Sequence, residues 1–523
     1  MSSSPADEGR DAERREQAPI AAFLRKPETY GPGVEDVEEI DTHISRVYLA
    51  GSRVYKMKRA VAFAYCDFST LEKRRAACER ELELNRRTAP ELYLDVVPVR
   101  RSSGGALSLG GTQSDGEVVE WLVEQRRFDQ DNLFDRLAAA GRLDAAVLTA
   151  LGEEIAAFHA KAEATPDYGG AEGIAWVIQE NAEEWGQWPD LFAEERAAAI
   201  DDASEKSLQR VSDALDARRD SGRVRRCHGD LHLRNIVLID GRPRLFDAIE
   251  FNDRLACIDT LYDLAFLLMD LDHRGLRWGA NLVLNRVLQI EGDLDGLRAL
   301  PLFLSLRAAV RAKIEATVAS GAESKSEVEA KREEAKEYFA EAEAYLRPPP
   351  ARVIAVGGLS GTGKSTLARM LSPEIGPAPG AIHLRSDVIR KQLAGVGLDE
   401  RLPESAYTAE QSERVYEAVC DRAARVLAAG HAVVADAVYA RPEERRAIAG
   451  AAADAGVPFQ GLWLEAPPSV MQQRVDGRSG DASDATAEVV RKQLDYDLGD
   501  IDWVRIDASG APEKVAARAR QAF

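Results

Sequence analysis

The stretch RVIAVGGLSGTGKSTLARML, residues 352–371, decides the fold of the second half of the chain. It has the spacing GxxxxGK[ST], and it lies between an apolar run predicted as a buried strand and a run predicted as a helix. Glycines let successive backbone N–H groups turn toward phosphate oxygens, and the following helix N-terminus adds positive potential. The spacing therefore predicts a phosphate-binding loop. Its predicted nucleotide-binding residues are Gly358, Ser360, Gly361, Thr362, Gly363, Lys364, Ser365 and Thr366.

Lys364, Ser365 and Asp436 are the residues of this half that would handle phosphate and metal. A lysine at this position of the loop contacts the β- and γ-phosphates, and the next hydroxyl holds Mg²⁺. The apolar run that begins at Ala432 ends in Asp436, as a second magnesium contact requires. The alternatives are a glycine-rich turn that binds nothing and an aspartate that merely ends a strand. Because both flanks of the loop are correct, we prefer the binding interpretation.

Charged residues suited to phosphoryl transfer lie on two predicted helices of the same half. Asp387 and Arg390 are three residues apart at a helix start and therefore share a face. A carboxylate there can orient or deprotonate an acceptor hydroxyl, and an arginine can bind the acceptor or a phosphate. Arg474 and Arg478 are four apart on a predicted helix after the strand 461–465, and could close over the transferring group. A helix-capping aspartate and ordinary surface arginines are the alternatives.

The region 351–523 alternates apolar strands with helical stretches, which is the pattern of a parallel α/β sheet. With its DxxR element at 387–390 and its arginines at 474–478, it resembles the small P-loop kinases related to polynucleotide 5′-kinase, zeta-toxin and gluconate kinase. The resemblance implies an α/β P-loop NTPase fold that transfers phosphate to a hydroxyl acceptor.

A second constellation occurs at HGDLHLRN, residues 228–235, which is followed by a predicted strand pair and Phe246-Asp247. Asp230 and Asn235 are five apart, and Asp247 follows the turn 240–243. One aspartate near an acceptor hydroxyl, with an asparagine and an aspartate on magnesium, is the minimum set for kinase-type phosphoryl transfer. Oxygen ligands of this kind suit Mg²⁺. A plain loop with a buried, satisfied histidine is the alternative.

From about Thr42 to Leu346 these residues resemble the aminoglycoside phosphotransferase group, whose fold is the protein-kinase fold. The resemblance implies that Asp230 is the catalytic base and that Asn235 and Asp247 are metal ligands.

The same resemblance implies a strand lysine on the α- and β-phosphates and a helix glutamate that pairs with it. Lys56 is the expected lysine and Lys58 its rival, whereas Glu81 is the expected glutamate and Glu79 the second choice. The run 118–123 would lead into the hinge that receives adenine.

Two departures from the protein-kinase pattern matter. The GxGxxG loop is replaced by the segment 49–53, which has one glycine, and this argues against a protein substrate. The DFG element is replaced by Asp247-Ala-Ile, so a DFG-type activation switch is not supported.

The chain is therefore predicted to be multidomain, with an N-terminal α+β protein-kinase-like fold and a C-terminal α/β P-loop NTPase with a parallel sheet. In the N-terminal part we expect a hairpin over 42–58, a helix with a capping box at Ser69–Glu72, and strands at 93–99 and 118–123 around a turn at 102–116. The predicted segments are a disordered tail 1–17, a phosphotransferase-like domain 18–348 (small lobe to about 125, then the large lobe, ending in a charged helix 322–346) and a P-loop kinase domain 351–523.

Composition excludes several classes of protein. Among 523 residues, 68 Lys and Arg oppose 88 Asp and Glu, a formal net charge of −20, which disfavours generic nucleic-acid binding. The five cysteines are odd in number and form no CxxC pair, so neither a disulfide framework nor a zinc cluster is indicated. There is no apolar export signal and no run near the ~18 apolar residues of a membrane span. We expect a cytoplasmic protein with no membrane partner.

The leading hypothesis is a bifunctional, ATP- and Mg²⁺-dependent kinase with two sites, each acting on a small hydroxyl-bearing acceptor. Two alternatives stay open. The C-terminal half could be a polynucleotide or nucleotide 5′-hydroxyl kinase, or one half could be a non-catalytic module that senses ATP.

Overall fold

The structure is a computed structural model that describes residues 17–63, 65–112, 116–322, 324–398, 400–477 and 483–523. The predicted disordered tail therefore lies, apart from Gln17, outside the described residues. The chain divides into two units, the first comprising the residues up to Gly173 with Arg218–Asp263, and the second comprising Ile174–Ala217 with Leu264–Phe523.

A six-stranded antiparallel sheet of order β1-β2-β3-β8-β6-β7 dominates the first unit. Its strands are Val37–Asp41 (β1), Ser45–Ala50 (β2), Arg53–Lys58 (β3), Tyr93–Arg101 (β6), Leu107–Leu109 (β7) and Glu117–Arg126 (β8), and a small hairpin of Ala62–Phe63 (β4) and Cys66–Asp67 (β5) stands apart from it. The expected hairpin over 42–58 is confirmed as β2 and β3. The stretch 102–116, expected to be only a turn, also contributes β7, which pairs with β6.

The second constellation lies among the remaining elements up to residue 273, some of which belong mostly to the second unit. The helices up to residue 273 are Ala18–Leu24 (α1), Leu71–Asn85 (α2), Phe134–Ala139 (α3), Ala145–Lys161 (α4), Gly170–Trp185 (α5), Glu194–Asp220 (α6), Asp253–Ala256 (α7) and Thr260–His273 (α8). Two short sheets pair Val224–Arg226 (β9) with Cys257–Asp259 (β12) and Ile236–Ile239 (β10) with Arg242–Leu245 (β11). The turn between β10 and β11 is Asp240-Gly241, both with positive φ, as a tight hairpin turn requires.

Helix α2 begins one residue later than predicted. Its N-cap is Thr70, whose Oγ1 accepts a hydrogen bond from the backbone N–H of Lys73 at 3.3 Å, so Ser69 is not the cap. Two adjacent hydroxyl residues can both satisfy an N-terminal N–H, and the spacing to Glu72 alone had favoured the first of them.

The second unit contains a five-stranded sheet of order β14-β15-β13-β16-β17, in which all pairs are parallel. The strands are Val353–Gly358 (β13), Ile382–Arg385 (β14), Val433–Asp436 (β15), Phe459–Glu465 (β16) and Val504–Asp507 (β17). The predicted parallel α/β fold is confirmed. Strand β17 was not predicted, because three of its four residues are exposed and it carries no apolar run.

Ten α-helices in the rest of the described chain complete the second unit. They are Arg277–Glu291 (α9), Leu300–Gly321 (α10), Lys325–Tyr345 (α11), Lys364–Leu371 (α12), Ser386–Leu393 (α13), Ala409–Ala428 (α14), Pro442–Asp454 (α15), Pro468–Asp476 (α16), Ala487–Leu494 (α17) and Pro512–Arg520 (α18). The expected charged helix over 322–346 is α11, which Ser324 caps. Among the described residues, no helix is both long and apolar enough to cross a bilayer.

Two candidate active sites

The first site begins at strand β3. Its pleat turns Tyr55 and Met57 into the apolar core and Lys56 and Lys58 to the opposite face. Both lysines face Glu81, which lies on the buried face of α2: Lys56 Nζ is 3.0 Å from Glu81 Oε1, and Lys58 Nζ is 2.5 Å from Glu81 Oε2. Each oxygen of the Glu81 carboxylate therefore pairs with one of the two ammonium groups.

The two lysines differ in their second partners. Lys56 Nζ also pairs with the carboxylate of Asp247, whereas Lys58 Nζ pairs with Glu250 and has a side chain only 1% exposed. Glu79, the second choice for the helix glutamate, pairs instead with Arg75 at the surface. The structure thus brings Lys56, Glu81 and Asp247 together, and it shows that Glu250, to which the sequence assigned no role, pairs with Lys58.

Asp247 is held in an unusual backbone conformation. Its φ is +63°, a left-handed value that is uncommon for a residue with a side chain. Its N–H donates to Tyr93 Oη at 3.0 Å, and the next N–H, of Ala248, donates to Asn85 Oδ1 at 2.8 Å. Burial raises the pKa of Asp247, but the charge of Lys56 outweighs burial and lowers the pKa below its ordinary value. The carboxylate is therefore ionised at neutral pH.

Asp230 and Asn235 meet within the loop 228–235. Asn235 Nδ2 donates to both the backbone O and Oδ2 of Asp230, each at 2.9 Å, and His232 Nε2 lies 3.3 Å from the same Oδ2. Because Asn235 uses its amide hydrogens on Asp230, Oδ1 is the atom that could face a cation.

Asp263, on α8, anchors this loop and was missed from the sequence. Its carboxylate accepts from the N–H groups of His228 at 3.3 Å and Gly229 at 2.9 Å, and His159 Nε2 lies 3.1 Å from Oδ2. Burial lowers the pKa of His228, whose neutral ring donates from Nε2 to the backbone O of Phe246 at 2.9 Å. An aspartate in the run TLYDLAF carries no local signal that would have revealed this role.

The second site is the loop between β13 and α12. Gly358 has φ +139° and Gly361 has φ +85°, and a Cβ at Gly361 would lie 2.4 Å from the backbone O of Met471. Lys364 Nζ donates to the backbone O of Leu359 at 3.1 Å, and Thr362 Oγ1 donates to the same oxygen at 2.8 Å. The loop therefore has the tight, glycine-dependent path expected of a phosphate-binding loop.

The side chain of Gln493, on α17, also contacts this loop, and this contact was not predicted. Its Oε1 accepts from the backbone N–H of Ser360 at 2.7 Å. Ser365 and Thr366 lie in the first turn of α12, where the helix dipole favours negative charge.

Asp436 ends β15 and is 3% exposed. His383 Nε2 and Arg385 Nε, both on β14, lie 3.4 and 3.7 Å from Asp436 Oδ2. Burial raises the pKa of Asp436, but His383, Arg385 and Lys364 outweigh burial and lower the pKa to about 2. Neither of the two β14 residues was identified from the sequence.

Both sites have donor sets that suit Mg²⁺. The first offers the Asp247 carboxylate and the Asn235 side-chain oxygen, and the second offers the Asp436 carboxylate and the Ser365 hydroxyl. Oδ2 of Asp436 is buried and accepts no hydrogen bond from the described part of the chain. A buried ionised oxygen of this kind is compensated best by a cation.

Of the other predicted residues of the second half, the structure places one, Arg474, against the phosphate-binding loop. Asp387 and Arg390 are both on α13, and Arg390 Nη1 donates to the backbone O of Ala406 at 2.8 Å. Arg474, on α16, donates from Nη1 to the backbone O of Thr362 at 3.4 Å, so it contacts the phosphate-binding loop. Helix α16 ends at Asp476, and Arg478 lies outside the described residues.

Two sequence-family models match different parts of the chain. A sequence model described as the phosphotransferase enzyme family matches residues 66–300, and one described as an AAA domain matches residues 353–496.

Relatives that resemble the chain over nearly its whole length occur in mycobacteria. Uncharacterized proteins of Mycobacterium tuberculosis (strain ATCC 25618 / H37Rv) and Mycobacterium bovis (strain ATCC BAA-935 / AF2122/97) are each 30% identical over 503 residues. The matches cover 92% of this chain and 94% of each relative.

Solved structures match one half of the chain or the other. A thermostable mutant of an aminoglycoside phosphotransferase covers 62% of this chain and 98% of its own, at 15% identity and a TM-score of 0.38. A sugar kinase from Janibacter sp. HTCC2649 covers 33% and 94%, at 22% identity and a TM-score of 0.26. The APS kinase of Mycobacterium tuberculosis covers 33% and 97%, at 20% identity and a TM-score of 0.25.

Proposed function

Because the chain belongs, with its mycobacterial relatives, to a family that joins a phosphotransferase domain to a P-loop kinase domain, it is a kinase, and we propose that it is bifunctional. Each site transfers the γ-phosphate of ATP to the hydroxyl group of a small molecule. Mg²⁺ bound with the nucleotide neutralises the charge that develops on the phosphates.

One shared arrangement carries this proposal. Each half joins a lysine suited to phosphate to a carboxylate suited to magnesium: Lys56 pairs with Asp247, and Lys364 follows the loop that leaves β13, the strand whose Val356 pairs with Asp436. Such pairs place positive charge where phosphate oxygens bind and oxygen ligands where the cation binds.

In the N-terminal site, Asp230 is the proposed catalytic base. Its carboxylate is fixed by the side-chain amide of Asn235, and its loop is fixed by Asp263. An acceptor hydroxyl that donates to Asp230 would lose its proton to this carboxylate as the bond to phosphorus forms. Lys56 orients the α- and β-phosphates, and Glu81 orients Lys56.

In the C-terminal site, the N–H groups of the loop and Lys364 bind the phosphates, and Ser365 and Asp436 coordinate the cation. Asp387 orients or deprotonates the acceptor hydroxyl, while Arg390, Arg474 and Arg478 bind the acceptor and the transferring phosphate.

Two single-site variants of the full chain test the proposal. Asp230→Asn removes the base of the first site, and Lys364→Ala removes the phosphate contact of the second. ADP release is measured against sugars, nucleosides, amino alcohols, aminoglycosides and a short oligonucleotide. We expect each variant to abolish turnover of one set of acceptors and to leave the other set unchanged.

Lys492→Ala, an exposed lysine paired with Glu488, is the matched control for Lys364→Ala and should keep full activity. If either site variant leaves turnover of every acceptor at the wild-type rate, the site it alters is not catalytic.

A further inference from the structure

An asparagine pair on α9 completes the open edge of the parallel sheet. Strand β14 is the last strand of that sheet, so its outer N–H and C=O groups have no neighbouring strand. Asn281 and Asn285, one helical turn apart and 3% and 6% exposed, face these groups. Buried backbone groups of this kind require hydrogen-bond partners.

The side-chain amide of Asn285 takes the place of a strand. Its Oδ1 accepts from the backbone N–H of His383 at 2.7 Å, and its Nδ2 lies 3.3 Å from the backbone O of Ala381, to which it donates. Asn281 Nδ2 donates to the same oxygen of Ala381 at 3.0 Å but does not contact His383 in the described hydrogen bonds. Of the two asparagines, Asn285 is therefore the one that hydrogen-bonds to His383.

Helix α9 makes a further contact one turn after Asn285. Gln392 Nε2, on α13, donates to the backbone O of Gln289 at 2.6 Å. Helix α9 thus runs beside both the edge strand and the helix that carries Asp387 and Arg390.

His383 links this edge to the proposed metal ligand. It is 8% exposed, and its Nε2 lies 3.4 Å from Oδ2 of Asp436. The register pairs His383 with Val434, two residues before Asp436 on the neighbouring strand. A shift of the β14 backbone would therefore move the imidazole relative to that carboxylate.

We propose that Asn285 is a positioning residue for the P-loop site: it fixes the backbone of His383, whose imidazole lies against the Asp436 carboxylate and so limits the directions in which that carboxylate can face the cation. The inference rests on the proposed role of Asp436 as a metal ligand. Asn285 lies within residues 66–300, the range that matches the phosphotransferase enzyme family. The proposed P-loop site thus depends on a side chain from the part of the sequence that matches the phosphotransferase enzyme family.

The test measures nucleotide affinity with and without Mg²⁺. A fluorescent ADP analogue is titrated into the full chain carrying Lys56→Met, which suppresses the N-terminal nucleotide contact. The readout is the gain in affinity that Mg²⁺ produces, and thermal unfolding is recorded in parallel. Loss of a partner that orients a metal ligand typically lowers metal affinity by about 10- to 100-fold.

We expect Asn285→Ala to reduce the Mg²⁺-dependent gain by about tenfold and to leave Mg²⁺-free affinity within about twofold. Asn281→Ala is the matched control, because it removes a hydrogen bond to Ala381 and one acceptor of Asn285 Nδ2 but leaves the bond from His383 N–H to Asn285 Oδ1, and it should keep the gain. If both variants change the gain equally, or neither changes it, Asn285 only covers the strand edge and the proposal is overturned.

Two further variants separate the possible failures. His383→Ala breaks the link without altering α9 and should also reduce the gain, which keeps the test decisive if Asn285→Ala does not fold. Asp436→Asn calibrates the readout. If Asp436→Asn leaves the gain intact, the proposed function of the site fails. If it removes the gain while His383→Ala does not, only the positioning role fails.

Discussion

Lys56 and Lys58 are two residues apart on one strand and share Glu81, yet each has a different second partner. Lys58 is paired with two carboxylates and is 1% exposed, whereas Lys56 reaches the carboxylate of Asp247. Removing one partner of a buried ion pair leaves an uncompensated charge, which costs about 3–5 kcal/mol. We expect Lys58→Met to lower the free energy of unfolding by that amount, as measured by urea denaturation.

Lys56→Met should impair activity more than stability, in contrast to Lys58→Met. It should abolish turnover at the N-terminal site while the urea midpoint changes much less than in Lys58→Met, because Glu81 retains Lys58 as a partner. Glu79→Gln, on the exposed face of the same helix, is the control for both and should change neither quantity. A Lys58→Met protein of wild-type stability would contradict this assignment.

His431 predicts a pH dependence of stability. It is fully buried, its ring nitrogens have no hydrogen-bond partner among the described residues, and burial lowers its pKa from 6.5 to about 4. At pH values between these two pKa values, the imidazole of His431 is therefore protonated in the unfolded chain but not in the folded chain. Stability is fully present above pH 6.5 and falls as the pH is lowered toward 4, by about 2 kcal/mol between pH 7 and pH 5.

His431→Leu should remove this contribution. The urea midpoint of the variant should differ less between pH 7 and pH 5 than that of the wild type, and its stability at pH 5 should be higher. His43→Gln, at an exposed position, serves as the control and should retain the wild-type pH dependence. Asp436, with a pKa of about 2, acts only at lower pH. Equal pH dependence in wild type and His431→Leu would show that the imidazole is not held neutral.

At the scale of elements, the phosphate-binding loop depends on how closely it approaches α16. A Cβ at Gly361 would lie 2.4 Å from the backbone O of Met471, and backbone atoms cannot yield as a flexible side chain can. We expect Gly361→Ala to displace the loop and to weaken nucleotide binding at the C-terminal site by about tenfold or more. Titration with a fluorescent nucleotide measures this.

Gly450→Ala provides the matched control. Gly450 lies within α15, where a Cβ would meet no atom within 4 Å, so alanine should bind nucleotide normally and slightly stabilise the helix. If Gly361→Ala binds nucleotide as tightly as Gly450→Ala does, the close approach to α16 is not required for the site.

At the scale of the whole molecule, the formal charge of −20 governs which partners approach. Binding of a long polyanion requires clustered Lys and Arg that release counterions. We expect a labelled single strand of about 20 nucleotides to bind with a Kd weaker than about 100 µM at physiological salt, as measured by fluorescence anisotropy.

A fluorescent ATP analogue in the same buffer is the positive control and should bind with saturation. Saturable oligonucleotide binding that weakens steeply with salt would reveal a basic cleft despite the net charge, and would favour polynucleotides as acceptors of the C-terminal half.

Local patterns in the sequence determined the features that depend on neighbouring residues. The glycine spacing at 358–363 predicted the loop, because only glycine adopts those backbone angles without strain. The Asp240-Gly241 turn and the apolar runs of the parallel sheet were predicted for similar local reasons. The family resemblance supplied Asp230, Asn235 and Asp247, and the first two of these hydrogen-bond directly to each other.

Only the tertiary structure showed that Lys56 and Lys58 have different second partners and that Glu81, not Glu79, contacts both lysines, because helix phase and strand pleat set which side chains meet. It alone revealed that Glu250 pairs with Lys58 across 192 positions and that Asn285 contacts His383 across 98. Such contacts arise when distant segments are packed together, and neither segment carries a pattern that names its partner. The reaction class was therefore readable from the chain, whereas the residues that orient its catalytic groups appeared only in the fold.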